Sequence, residues 1–194
     1  MRSEINKFFV NFAVISMFVL SITVYASAGN RLAVMDFSKW DMPTIVNDTV
    51  IPVLAEDYIE GDQGLSLKIT FVGRGFCGRK NVEKPWSDFK YFKFSAYNAQ
   101  NKNLTFSLVI KDKNSISSRK NMDTWIVLPF VLKPGMNRVS LNLKKAEHFG
   151  DKKKIDLSEI KQWHFSYKLF PEQKWEETGP EQVVIYISDI RVEN

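Results

Sequence analysis

Strict alternation of apolar and polar side chains, recurring from Leu32 to the end of the sequence, is the feature that most restricts what this chain can become. In LSLKITF (65–71) Leu65, Leu67, Ile69 and Phe71 fall on one face and Ser66, Lys68 and Thr70 on the other. That is the pattern of a strand buried on one side only. YFKFSAY (91–97) sets Phe92, Phe94 and Ala96 against Tyr91, Lys93, Ser95 and Tyr97, and LTFSLVIKD (104–112) repeats the arrangement through Leu104, Phe106, Leu108 and Ile110. WHFSYKL (163–169) turns Trp163, Phe165, Tyr167 and Leu169 inward, leaving His164, Ser166 and Lys168 outward.

Polar, turn-prone breaks separate these runs: NAQNKN (98–103), KDKNS (111–115) and KPGMN (133–137). TWIVLPFVL (124–132) holds Pro129, which cannot donate a ladder hydrogen bond and so places that strand at a sheet edge or at a bend. RVSLNL (138–143) follows. One short helical turn is expected in DLSEIKQW (156–163), where Asp156 or Ser158 serves as cap and Ile160 and Trp163 lie three apart. VVIYISDIRVEN (183–194) reads as a closing strand whose face pattern slips at Ser188-Asp189, and a β-bulge there returns Ile190 and Val192 to the core. Eight or nine antiparallel strands in a β-sandwich follow from this spacing.

The first 28 residues differ in kind. Arg2 and Lys7 precede the hydrophobic stretch FFVNFAVISMFVLSITVY, and Ala26-Ser27-Ala28 forms a small-residue cleavage site, the pattern of an export signal. Residues 29–194 are then the folded domain, and the destination is secretion or the periplasm. The same hydrophobic stretch approaches the length that spans a bilayer, so membrane association follows only if it is not cleaved. Removal of Arg2, Lys7 and Glu4 lowers the formal net charge from +5 to +4. So mild a charge, with its one run at Lys152–Lys154 in a loop, does not indicate nucleic-acid binding. Cys77 is the single cysteine, which rules out an intramolecular disulfide and suits a buried apolar role.

Enzymatic signatures are missing at the level of sequence. A glycosidase needs two carboxylates about 5–10 Å apart, and no spacing picks out such a pair. There is no G-x-S-x-G, and two histidines with one cysteine do not supply a zinc set.

The order VMDFSKW, GDQGLSLKITF, PWSDFKYFKFSAYN, LTFSLVIKD, VLKPGMNRVSLNL, IDLSEIKQWHFSY and VIYISDIRV resembles the galactose-binding-like jelly-roll domains that accompany carbohydrate-active enzymes, over roughly Leu32 to Val192. The resemblance implies a jelly-roll β-sandwich that binds a polysaccharide or envelope glycan without catalysing a reaction. DFSKWDMPTIVNDTV and GRGFCGRK also look like the complex I intermediate-associated protein family. That likeness implies an alternative role as an interaction or assembly factor with an envelope protein partner.

Glycan modules set aromatic faces against sugar rings and polar groups against hydroxyls. Trp175, in the polar run EQKWEETGP, and Trp125, at the head of an apolar strand, are candidate platforms. Trp86 and Trp163 are assigned to the core. Tyr91, Lys93 and Tyr97, with Ser95, offer a polar platform if their strand neighbours that of His164, Ser166 and Lys168; His148 is read as lying in a polar loop. No cofactor is required. Jelly rolls of this kind hold a structural calcium near the first and last strands, and the resemblance brings Asp36 and Asp189 to that corner. Ser38 and Ser188 stand where relatives carry carboxylates.

Overall fold

The alternating segments form strands almost where their periodicity puts them. In chain order the strands are β1 (Arg31–Ala33), β2 (Ile45–Val46), β3 (Val50–Ala55), β4 (Ser66–Val72), β5 (Gly75–Lys80), β6 (Tyr91–Asn98), β7 (Leu104–Asp112), β8 (Ile126–Leu132), β9 (Gly135–Asn142), β10 (Ile160–Tyr167) and β11 (Gln182–Glu193). The structure, a computed structural model, describes residues 31–61, 64–115, 119–169 and 181–194, the side chains of 119–121 set aside. Leu32–Asn194 cluster as one unit. The export segment and Trp175 lie outside the described residues.

Two antiparallel sheets result. One runs β3-β4-β11-β6-β9, with β1 added against β11; the other runs β2-β5-β10-β7-β8. This is the all-β sandwich expected, with eleven strands among the described residues instead of eight or nine. The surplus comes from pieces whose alternation is short or broken: β1 and β2 have three and two residues, and β5 reads GFCGRK. Pro129 lies in β8, at the edge of its sheet beside β7, where a residue without an N–H is tolerated.

The inner faces meet in an aromatic core. Phe92 and Phe94 of β6 pack on Trp163 and Phe165 of β10, with ring centroids 5.5 Å apart for Phe92–Trp163 and 4.8 Å for Phe94–Phe165. Phe71 meets Phe106 at 5.4 Å. Aromatic pairs of this geometry add about 0.5–1.5 kcal/mol each beyond their area burial. Trp86 is buried beside Phe92, and Cys77 is buried with its thiol pushed up to about 12 by loss of solvent. Both residues are core, as the sequence suggests.

Two bulges set the faces. In β11 the pairing with β6 shifts register between Ser188 and Arg191, Asp189 sits at φ 54°, and Ile190 and Val192 are fully buried beyond it. The expected bulge is therefore present. The second bulge corrects a reading. DLSEIKQW forms no helical turn: Asp156 Oδ1 accepts from the backbone N–H and hydroxyl of Ser158, closing a tight turn, and Ile160 already belongs to β10. Register against β7 shifts between Ile160 and Gln162. The extra residue puts Ile160 and Trp163 on the same inner face, and the three-residue spacing that imitated a helix is the spacing of a bulged strand.

Candidate functional site

The sandwich has two outward faces, and they are finished differently. On the five-stranded sheet the register aligns outward residues in rows across the strands. Gln162 of β10 stands opposite Lys80 of β5 on one side and Lys111 of β7 on the other. The next row holds Ile45, Gly78, His164 and Val109, and the one after it Phe76, Ser166 and Ser107. Gly78 sits where the row would otherwise be crowded: a Cβ there would collide with the Trp163 carbonyl and with Cα of His164. The absence of that side chain lets β5 and β10 close up and leaves the Gln162 and His164 side chains as the floor of a trough.

The trough encloses about 430 Å³ and is lined by Asn47, Arg74, Gly75, Phe76, Lys111, Trp125, Gln162, His164, Ser166 and Leu169. An adjoining hollow of about 610 Å³ shares Phe76, Lys111 and Gln162 with it and continues to Thr44, Ile45, Val46, Lys80, Asn81, Ser115 and Lys161. Together they make a groove crossing β2, β5, β10 and β7. Its polar groups are partly preset. Asn47 Oδ1 accepts from the Phe76 N–H at 2.7 Å, Gln162 Nε2 lies 3.1 Å from His164 Nδ1, and Arg74 donates to the Leu169 carbonyl. Sugar hydroxyls could be met by the remaining amide, hydroxyl and ammonium valences.

Burial tunes the two titratable groups of this face. His164 is nearly enclosed, and desolvation, with the charge of Lys111 adding to it, pulls its pKa down to about 3, so the imidazole is neutral at physiological pH. Desolvation first, then Lys80, lowers Lys111 to about 8. The Lys111 ammonium lies 3.6 Å from the centre of the Trp125 ring, a cation–π contact. Trp125 itself is only 6% exposed and packs with Val109 and Leu169 in a small apolar cluster on this outer face. It lines the groove as a wall, with one face of its ring occupied by Lys111, and is not the open platform that its sequence position suggested.

The six-stranded face carries the other predicted residues. Tyr91, Lys93, Ser95 and Tyr97 do project outward from β6, but β6 and β10 belong to different sheets, so the expected joint platform with His164, Ser166 and Lys168 does not form. Alternation gives the side of a strand and says nothing about which sheet the strand enters. Here several charges are paired within the chain. Lys93 bonds Glu193 at 2.6 Å, and Arg138 grips Glu60, which also accepts from Ser95 at 2.6 Å. Tyr97 stacks on Tyr58 with centroids 3.6 Å apart, and Tyr186 meets Tyr58 edge-on at 4.7 Å. The segment carrying Tyr58, Glu60 and Gly61 lies over the sheet, and Gly61, at φ 84°, leaves only enough room for the Asp189 carboxylate beside it.

The calcium expectation rests on Asp36 and Asp189, and the donor set does not fit it. Asp36 caps a short 3₁₀ turn by accepting from Ser38, and it pairs with Lys39 at 2.9 Å. Asp189 is bound by the guanidinium of Arg191. The two carboxylates line different hollows, and among the described residues no group of three or more His, Cys, Asp or Glu side chains converges on one point.

His148, read from sequence as a loop residue, is fully buried between Asp112 (Nε2 to Oδ2, 3.3 Å) and Asp151 (Nδ1 to Oδ1, 3.0 Å). Asp112 also accepts from the Asp156 N–H, the Asn114 N–H and Ser115 Oγ, a fully satisfied structural knot at the end of β7. The loop sequence is polar because its polar groups pair inside. Of the groove residues, the sequence singles out Trp125, His164 and Ser166 but not Arg74, Phe76, Lys80, Lys111, Lys161 or Gln162. Alternation through β7 marks Lys111 as outward, but β5, interrupted by two glycines, offers no readable period.

No protein-family profile and no curated protein sequence matches this chain. Solved structures do. A family 11 carbohydrate-binding module from a cellulosomal cellulase of Clostridium thermocellum is similar over 86% of this chain and 96% of its own, at 14% identity and a TM-score of 0.59. A family 11 module of the same organism in complex with a β-1,3-1,4-mixed-linked tetrasaccharide aligns over 77% of this chain and 86% of its own, at 13% identity and 0.52. An agarase aligns over 85% of this chain but only 24% of its own, at 16% identity and 0.58. At these identities the likeness establishes the architecture: the chain has the jelly-roll fold seen in carbohydrate-binding modules.

Proposed function

We propose that this chain is an exported, non-catalytic protein that binds a polysaccharide or envelope glycan in the groove over the five-stranded sheet. The observation that carries the reading is the convergence of Phe76 and Trp125 with the amide of Gln162, the hydroxyl of Ser166 and the ammonium of Lys111 in one groove. Aromatic walls with a few placed polar groups are the composition of a saccharide or small-ligand site. The non-catalytic part rests on the lining: among the described residues of the groove there is no carboxylate, and glycoside hydrolysis by the usual route needs two. Export rests on residues 1–28, and Trp175 remains a candidate contact.

Affinity electrophoresis of the purified protein through soluble polysaccharides tests the reading. Retardation by at least one polysaccharide is expected, weakened by Phe76→Ala and Gln162→Ala and untouched by Tyr97→Ala on the opposite face. Retardation that only Tyr97→Ala abolishes would move the site to the six-stranded sheet and overturn the proposal.

A second reading, an interaction module for an envelope protein, is favoured by one observation. β3 is the edge of the six-stranded sheet, and its Ile51 and Val53 are 56% and 44% exposed. An apolar edge strand is a template for strand addition. Crosslinking in envelope extracts tests it, with Ile51→Lys and Val53→Lys expected to abolish any adduct.

A further inference from the structure

The groove is one-sided in charge. Arg74, Lys80, Lys111 and Lys161 line its two connected hollows, and no Asp or Glu does so among the described residues. Elsewhere on the surface, cations and carboxylates are interspersed and many are paired. Lys39, Lys93, Lys102, Lys113, Lys153, Lys154, Arg79, Arg138 and Arg191 all hold a carboxylate. Among the described residues Lys80, Lys111 and Lys161 have none.

Register makes this an ordered array. Lys80 and Lys111 flank Gln162 in a single row, two strand spacings apart and therefore roughly 10 Å from each other at the backbone. Placing two like charges across one amide, with one of them partly desolvated, costs stability, and inside the protein only the Trp125 ring face offsets it at Lys111. The depressed Lys111 pKa records that cost, since burial and Lys80 are its causes. An anion lying along the row would supply the missing counter-charge.

We propose that the ligand of this groove is an acidic polysaccharide, whose carboxylate or sulfate substituents are received by Lys80, Lys111 and Lys161 while Gln162 and Ser166 bond its hydroxyls. The inference rests on the reading that the groove binds a glycan, and it names the class. The lining favours an acidic glycan over a nucleic acid. Single-stranded nucleic acids are held by open aromatic faces on which bases stack, whereas the Trp125 ring is buried and capped by Lys111.

The test uses matched pairs of polysaccharides in titration calorimetry with the full protein: polygalacturonate against its methyl ester, and dextran sulfate against dextran, with mixed-linkage β-glucan as a further neutral arm. Binding of the charged member of at least one pair, tighter than its neutral partner by about tenfold or more, is expected. The pair that responds identifies carboxylate or sulfate. Affinity should fall as salt is raised from about 50 mM to about 500 mM. Lys80→Ala and Lys161→Ala, both at exposed positions, should each weaken it roughly two- to fivefold. Lys111→Met, which keeps the stem against Trp125, should weaken it at least as much, with its melting curve recorded alongside. Lys133→Ala, in the turn between β8 and β9, should change nothing.

Equal, salt-insensitive binding of neutral and charged members would overturn this inference and leave the glycan-binding groove standing. No binding to any polysaccharide would overturn both. Charged binding that Lys133→Ala weakens as much as Lys80→Ala, or that duplex DNA displaces at equal charge, would show a nonspecific polyanion surface and overturn the inference as well.

Discussion

The two outward faces of the sandwich are built from the same kind of alternating strand, yet hollows of equal volume on them differ in charge: the one beside Glu60 and Arg138 holds its own ion pairs, and the groove over β5 and β10 holds none among the described residues. On the six-stranded face a loop lies down, Tyr58 stacks on Tyr97, and Glu60 neutralises Arg138. On the five-stranded face Lys80, Lys111 and Lys161 have no acidic partner among the described residues, and a glycine takes the place of a side chain in the middle row. The lesson is that polar alternation makes a soluble face, whereas a site arises where the chain declines to complete that face with its own groups.

Four measurements bear on this contrast. Trp125→Ala has the largest expected effect: removing a buried indole from the cluster with Val109 and Leu169 should cost about 3–5 kcal/mol by chemical denaturation, and it should release Lys111 and weaken polysaccharide binding together. A stability loss below about 1 kcal/mol would mean that the cluster does not hold this face together.

The second is a pH effect led by the five-stranded face. His164 is neutral when folded, with its pKa at about 3, and takes up a proton near 6.5 when unfolded. Between those values the unfolded state binds more protons, so stability falls as pH drops from 6.5 toward 3, by about 1.4 kcal/mol per unit. Equilibrium unfolding at several pH values should show this slope and should show it reduced in His164→Gln. Glu181 adds to it at the acid end. Lys102 foremost, with Lys168 and Tyr167, holds its carboxyl down at about 2, so the stability it contributes above its ordinary pKa is also lost as pH falls.

Third, Gly78→Ala should cost about 1–3 kcal/mol, because the new methyl meets the β10 backbone with no flexible side chain to yield. Groove binding should fall with it, and an unchanged denaturation midpoint would show that the strands do not approach as closely as described. The smallest effect belongs to the six-stranded face. Glu60→Ala should shift Tm by roughly 2 °C or less and leave polysaccharide affinity unaltered. A binding defect in this variant would erase the functional distinction between the faces.

Much of this architecture is legible in the sequence, and the reasons for the exceptions are physical. β4, β6, β7 and β11 announce themselves because one side of each is continuously apolar, and Ser188-Asp189 announces its bulge because the face slips there. β5 does not, since its two glycines erase the period they serve, and with β5 went Phe76 and Lys80. The bulge at Lys161 disguised a strand as a helical turn. The site was the least legible part. Which outward faces adjoin depends on sheet membership, a property of long-range pairing, so the alternation that sets Tyr91, Lys93 and Tyr97 outward cannot say that β10, with His164 and Ser166, lies in the other sheet.

β11 is last in chain order but stands between β4 and β6 in the middle of the larger sheet, with β1 paired to it as well. Until residues 182–193 are synthesised, β4 and β6 have no strand between them and each presents an unsatisfied edge. The larger sheet is therefore completed by β11, through long-range contacts such as that of Lys93 with Glu193, a hundred positions apart. A ribosome-bound chain stopped short of Gln182 should therefore remain protease-sensitive throughout the larger sheet.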